Sequence, residues 1–210
     1  MSQPLDQHGG AFPDDSGVPA GKLPGDCLAG RLLIAMPNIG DARFERAVIL
    51  MCVHSPEQAM GITINRPLQG LALSDVLDRL QLDHDDLVPD PAVLSGGPVE
   101  RERGFVLHTD DFETLDATLP VVLGVSLTTT REVLEAMADA SRRPHLSALA
   151  LGCAQWAPGQ LEQELVENVW LTADPDLGII FDDVHDTKWS RALGKLGITA
   201  DRLSSEAGRA

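Results

Sequence analysis

The longest unbroken apolar run in this 210-residue chain is Ala-Val-Ile-Leu-Met-Cys-Val, seven residues at positions 47 to 53. A membrane-spanning helix needs about 20, so no such span is expected. The run has the length of a strand, and the other apolar runs are as short. Residues 31–36 are stopped by Pro37. Residues 46–54 and 60–65 flank the turn-like His54-Ser-Pro-Glu57. Residues 92–94 meet Ser95-Gly-Gly-Pro98. Further strands are predicted over residues 104–108, 120–127, 146–153, 169–172 and 177–181.

Helical patterns are fewer. Ser74 is predicted to cap a short helix with Val76, Leu77 and Leu80 on one face. Thr129-Thr-Arg-Glu132 has the form of a capping box. Pro158-Gly-Gln160 opens a helix expected to carry Leu161, Leu165 and Val166 inward. A last helix, residues 186–196, places Trp189, Ala192, Leu193 and Leu196 on one face and stops at Gly197. Strands outnumber helices and come in adjacent groups, a pattern that favours α+β over a βαβ repeat. Residues 1–26, rich in Gly, Pro, Asp and Gln, read as a disordered tail. Residues 27–198 read as one domain, and 199–210 as a flexible end.

Charge narrows the function classes. Acidic residues number 32 against 16 basic ones, a formal net of -16. Little of that charge sits in the two ends, so the folded part is acidic. Such a surface repels phosphate backbones unless it hides a basic patch. With five Phe, three Trp and no Tyr, base-stacking platforms are also disfavoured. The N-terminus shows no basic region followed by an apolar one, so no secretory signal is expected. The three cysteines, Cys27, Cys52 and Cys153, have no metal or redox spacing. A reduced, cytoplasmic setting is expected, with no cofactor and no bound metal.

Four groups of residues could carry chemistry. Cys153 could be a nucleophile if His54, His108 or His145 served it, but a small buried residue at a strand end is the favoured reading. Ser95-Gly-Gly-Pro98 could present backbone N–H groups to phosphate. Pro98 removes a donor and a strand follows, so a tight turn is favoured. Glu162 and Glu164, two apart on a helix, point to nearly opposite faces and are not expected to share a metal. A solvated face is the favoured reading for them, as helix capping is for Asp182-Asp183. Arg66, in Asn65-Arg66-Pro67, could clamp an anion together with Arg101 and Arg103; a structural role for Asn65-Arg66 is favoured.

In order and spacing these segments resemble the YqgE/AlgH family. The matching pieces are Leu33-Ile-Ala-Met-Pro37, Phe44 with the strand to His54, Met60-Gly-Ile-Thr-Ile-Asn-Arg-Pro67 and Gly96-Gly-Pro98. Arg103-Gly-Phe-Val-Leu-His108 and Gly159-Gln-Leu-Glu162 follow, leading through Glu164 and Asn168 to Trp170-Leu171. The resemblance implies a single α+β domain. Its sheet would be bifurcated and mostly antiparallel, with a barrel-like part, and surrounded by helices. It implies a bacterial cytoplasmic protein of a family often labelled transcriptional regulators through a genetic link to alginate production. Family members usually have Gly-Tyr-(Ala/Ser)-Gly-Trp where this chain has Gly152-Cys-Ala-Gln-Trp156. The family motifs single out His54, Asn65, Arg66, Arg103, His108, Gln160, Glu162 and Glu164 as candidate ligand-binding residues.

The expected function is therefore indirect regulation through a small anionic ligand or a protein partner, without catalysis and without a membrane. The alternative is an enzyme that pairs His54 or His108 with a glutamate for acid–base chemistry. It requires those side chains to meet in a concave pocket. Direct nucleic-acid binding is disfavoured by charge.

Overall fold

The computed structural model describes residues 27–114, 117–122, 124–201 and 203. The tail predicted over residues 1–26 lies outside them. The N-terminal elements are β1 (Leu32–Ala35), a 3₁₀ turn (Ala42–Phe44), β2 (Val48–Ser55), β3 (Gln58–Thr63), β4 (Pro67–Ala72) and α1 (Leu73–Arg79). The centre holds β5 (Ala92–Ser95), β6 (Val99–His108), β7 (Thr118–Val122), β8 (Val125–Thr128) and α2 (Arg131–Met137). The chain continues with β9 (Ser147–Trp156), α3 (Gln160–Val166), β10 (Trp170–Ala173), α4 (Leu177–Phe181) and α5 (His185–Lys195).

The strands form a ten-stranded sheet in the order β10-β1-β2-β3-β9-β6-β8-β7, with β5 joining β9 and β4 joining β5. All the pairings are antiparallel except β5 with β9. The α+β expectation holds, and so does the bifurcation, whose hinge is β9. Its first half pairs with β6 and β5, as Phe105 with Ala150 and Leu94 with Ala150. Its last three residues pair with β3, from Gly61 with Ala154 to Ala59 with Trp156. The sheet curls around an apolar interior without closing.

The seven-residue apolar run is explained by burial on both faces of β2. Val48, Leu50 and Cys52 join Leu32, Ile34, Ile62 and Leu107 in the interior of the curl. Ile49 and Met51 join Leu33, Trp156, Leu161 and Trp170 on the other face. This is the period of two that side chains follow along a strand. Helix α5 covers the first face with Trp189, Ala192 and Leu193, and Ala200 and Leu203 pack beside it. Helices α1 and α2 close a third cluster through Leu73, Leu77, Val133 and Met137. Among the described residues no helix is long and apolar enough to cross a membrane.

Several predicted elements change. Residues 177–181 form helix α4, not a strand, because Asp176 caps it by accepting the Ile179 N–H at 3.2 Å. A five-residue apolar run suits either state, and the cap decides. The predicted strand over 120–127 is the hairpin β7–β8, turned at Gly124 with φ +83°. Ser74 is not a cap; Asp75 accepts the Ala72 N–H and Asp90 accepts the Ser74 N–H, each at 2.8 Å. The residue at the N-cap of α2 is Thr130, while Thr129 Oγ1 accepts from Arg103. Val166 is 77% exposed, not inward.

Candidate functional site

The branch of the sheet requires two backbones to cross closely. A Cβ on Gly96 would sit 2.1 Å from the Gly152 carbonyl oxygen. One on Gly97 would sit 2.1 Å from the Cys153 carbonyl carbon. Close approach, rather than a phosphate loop, is therefore what Ser95-Gly-Gly-Pro98 serves. The strand that follows carries a bulge between Val99 and Gly104, and Glu100 sits there in the left-handed region at φ +49°. Bulges re-aim side chains. Here Arg101 lines one cavity, whereas Glu100 and Arg103 line another.

The first cavity, of about 300 Å³, is lined by Arg43, Arg66 and Arg101 with Thr63, Ser95 and Gly97. Arg66 and Arg101 line it together. Arg103 is not part of it; it lines the other cavity, where it is paired to Glu100 at 2.8 Å. Arg43, which sits on a 3₁₀ turn and has no signal in the sequence, takes its place. Arg43 is held by Asp41 through three contacts of 2.6 to 3.0 Å. The same contact keeps the Asp41 carboxyl below its usual range. Arg66 donates to the Glu45 carbonyl at 2.5 Å. Arg101 has no hydrogen-bond or ion-pair partner among the described residues. Asn65 has the structural role: it accepts the Val48 N–H at 2.8 Å and donates to the Arg46 carbonyl at 2.9 Å, which fixes the start of β2.

Helix α3 holds three other candidates. Gly159 enters it at φ +75°, and Asn168 leaves it at φ +55°. Gln160 accepts the Ala157 N–H at 3.0 Å and donates to Glu164 at 2.8 Å. The other carboxylate oxygen of Glu164 accepts the indole N–H of Trp156 at 2.8 Å and of Trp170 at 2.7 Å. Glu162 meets His54 Nε2 at 3.0 Å. Glu164 thus docks the helix and is not part of a solvated face, whereas Glu162 meets His54 with its own side chain still 50% exposed, so the solvated reading holds in part for it. The two carboxylates have separate partners, and no group of three metal-ligating side chains occurs among the described residues.

The His54–Glu162 pair is the His/Glu contact the enzyme alternative asks for, but it is saturated. Nδ1 accepts the Leu28 N–H at 3.1 Å, so Nε2 carries the proton and donates it to Glu162. The imidazole is 6% exposed, and no ring nitrogen is left for a substrate. His108 lies elsewhere, fully buried between β6 and β8. Its Nδ1 donates to the Thr109 carbonyl at 2.8 Å, and Nε2 accepts from Thr128, itself bonded to Thr118. Burial pushes its pKa down, so it is a neutral link in a polar chain. Cys153 is fully buried and its thiol pKa is raised by desolvation. Its contact is the Gln155 amide at 3.4 Å, so it is not an activated nucleophile. Asp182 accepts the Val184 N–H and pairs with Arg191.

Sequence reasoning missed Lys188, whose place on the apolar face of α5 gave no signal. It is 1% exposed and donates to the carbonyls of Ile64 and Ile180, each at 3.1 Å, with Asp182 at 3.8 Å. Burial pushes its pKa down to about 8, partly countered by Asp182 and Asp183. Between that value and 10.5 the unfolded chain keeps a proton that the folded chain has released. Stability contributed by this group therefore rises with pH through that window. Wild type is expected to gain on the order of 2–3 kcal/mol relative to Lys188→Met between about pH 7.5 and 10.5. Urea denaturation across that range checks it. The comparison cancels the opposing effect of Cys52, whose pKa burial pushes up to about 12. A pH-independent difference between the two proteins would refute it.

Comparison with known proteins agrees with this architecture. A family model described as AlgH-like matches residues 32–201. A UPF0301 protein of Caulobacter vibrioides is 59% identical over 186 residues, covering 89% of this chain and 95% of that protein. One of Xanthomonas campestris pv. campestris is 46% identical over 184 residues, covering 87% and 96%. The solution structure of the AlgH protein from Pseudomonas aeruginosa superposes with a TM-score of 0.70 at 37% identity, covering 90% of this chain and 100% of that one. A crystal structure of a Corynebacterium diphtheriae protein, at 19% identity and a TM-score of 0.61, covers 79% and 85% and shares the fold. With the family model spanning the sheet from β1 to α5, and relatives alike over nearly their whole length, the chain belongs to the AlgH-like family.

Proposed function

We propose that this protein binds a small anionic ligand in the arginine-lined cavity and acts without catalysis. It would then influence gene expression indirectly in the cytoplasm, through the ligand or a protein partner. The observation that carries this reading is the convergence of Arg43, Arg66 and Arg101 on one cavity in a chain of net charge -16. Guanidinium groups suit carboxylates and phosphates because their N–H groups form a planar fork. Arg101, without a hydrogen-bond or ion-pair partner among the described residues, is the group an anion would engage first. The saturated His54 and the buried, neutral His108 argue against acid–base catalysis. Free cysteines at 27, 52 and 153 fit a reducing compartment.

Direct DNA binding lacks a basic surface on the longest helix. On α5, Lys188 is buried, Arg191 pairs with Asp182, and Lys195 pairs with Asp176 at 3.0 Å. Thermal-shift assays with inorganic phosphate, pyrophosphate, citrate and AMP test the ligand reading. At 100 times its Kd a matching anion is expected to raise the melting temperature by about 5–10 °C. That rise should be lost in Arg101→Ala and in Arg66→Ala. An equal rise in Arg101→Ala, or none with any anion in wild type, would overturn the reading.

A further inference from the structure

The second cavity at the branch, of about 330 Å³, is chemically unlike the first. It lies on the other side of the β6 bulge, between the two arms of the sheet. Its apolar lining includes Val53, Met60, Phe105, Leu119 and Leu127. Its polar lining is Glu100, Arg103, Thr129, Gln58 and Gln155. Apolar lining with a few placed polar groups is the usual make-up of a small-molecule site.

The two charged groups are held by contacts within the protein while their side chains stay 54% (Arg103) and 40% (Glu100) exposed. Arg103 donates to Glu100 Oε2 at 2.8 Å and to Thr129 Oγ1 at 3.3 Å, and its guanidinium carbon lies 5.3 Å from the centre of the Phe105 ring. Two contacts and a ring therefore set the guanidinium plane. Glu100 is held by a left-handed backbone at φ +49°. A non-glycine residue in that region stores strain, and such strain gathers at ligand sites. Arg103 still has N–H groups to give, since a guanidinium carries five. Glu100 Oε1 has no hydrogen-bond partner among the described residues.

We propose that this cavity binds a free α-amino acid with an apolar side chain, as its zwitterion. Glu100 and Arg103 present a negative and a positive group side by side. Their complement is a positive and a negative group held equally close, which an α-ammonium and an α-carboxylate on one carbon provide. The carboxylate meets the remaining N–H groups of Arg103, and the ammonium meets Glu100 Oε1. The side chain lies against Met60, Leu119 and Leu127. A simple anion is repelled by Glu100 and a simple cation by Arg103, so each capped form of the ligand is rejected. The Gln58 and Gln155 amides supply further donors and acceptors.

The test is isothermal titration of the full chain with L-leucine, L-methionine and L-phenylalanine. N-acetyl-leucine lacks the ammonium, and leucinamide lacks the carboxylate. At least one free amino acid is expected to bind, and both capped leucines to bind ten- to a hundredfold more weakly than leucine, the loss of one charge-assisted contact. Arg103→Met and Glu100→Gln should weaken amino-acid binding by a similar factor, with circular dichroism checking that they fold. Arg103→Lys, which keeps the charge and loses the fork, controls for misfolding of the methionine variant and should also bind less tightly. Arg101→Ala should leave amino-acid binding unchanged, which separates this site from the arginine cavity. No binding of any of the three, capped leucines binding as well as leucine, or folded Arg103 variants binding as wild type would each overturn the proposal.

Discussion

Replacing Gly152 by alanine is expected to cost on the order of 4 kcal/mol or more, a large share of the stability of a typical domain. The added Cβ would lie 2.6 Å from the Gly97 carbonyl oxygen, 2.9 Å from that of Val99 and 3.2 Å from the Arg101 Cα. All three are backbone atoms, so no side chain can swing aside. Residue 152 also sits at φ +76°, which disfavours any residue with a Cβ. To accept the change, β9 must move away from the 96–101 segment, and the branch of the sheet opens with it. Gly197→Ala is the control: its φ is +70°, but nothing lies within 4 Å of the new atom. Conformation alone should cost about 1 kcal/mol there. Urea denaturation measures both. Equal costs at the two positions would mean that the crossing does not carry the branch.

That crossing marks the limit of what was legible in the sequence. Strands such as β2 could be read because their burial is written into consecutive residues. β4, Pro-Leu-Gln-Gly-Leu-Ala, was missed because proline and glycine interrupt it and none of its residues is fully buried. The glycine turn could be recognised, but not its reason, since the partner backbone at Gly152 is far along the chain. The candidate site follows the same rule. His54 and Glu162 were both singled out, yet their contact spans 108 residues, and only the fold of β2 against α3 creates it. Arg101 and Arg103 could both be grouped with Arg66, because both follow the glycine turn and nothing in the sequence separates them. The bulge at Glu100 sends the two arginines to different cavities, and a bulge has no reliable signature in a single sequence.

Glu164→Ala is expected to cost about 2–4 kcal/mol. The carboxylate is the acceptor for two nearly buried indole N–H groups, Trp156 at 7% and Trp170 at 3% exposure. Removing it leaves both donors unpaired, in a place where the rings pack edge to face with centroids 6.0 Å apart and where Phe44 adds a third ring against Trp170. A buried donor without a partner costs about 1–3 kcal/mol. Glu164→Gln separates this from a loss of packing. Its amide oxygen can accept from both indoles through two lone pairs, but its amide nitrogen then faces the Gln160 amide nitrogen, so a loss of about 1 kcal/mol is expected. Urea denaturation gives the stabilities, and tryptophan fluorescence gives a local reading. Trp189 donates instead to the Ala35 carbonyl at 2.8 Å and should keep its emission in both variants. If alanine and glutamine cost the same, the indole hydrogen bonds contribute nothing that packing does not. If alanine costs less than about 0.5 kcal/mol, the size of an ordinary surface change, Glu164 does not hold α3 against the sheet.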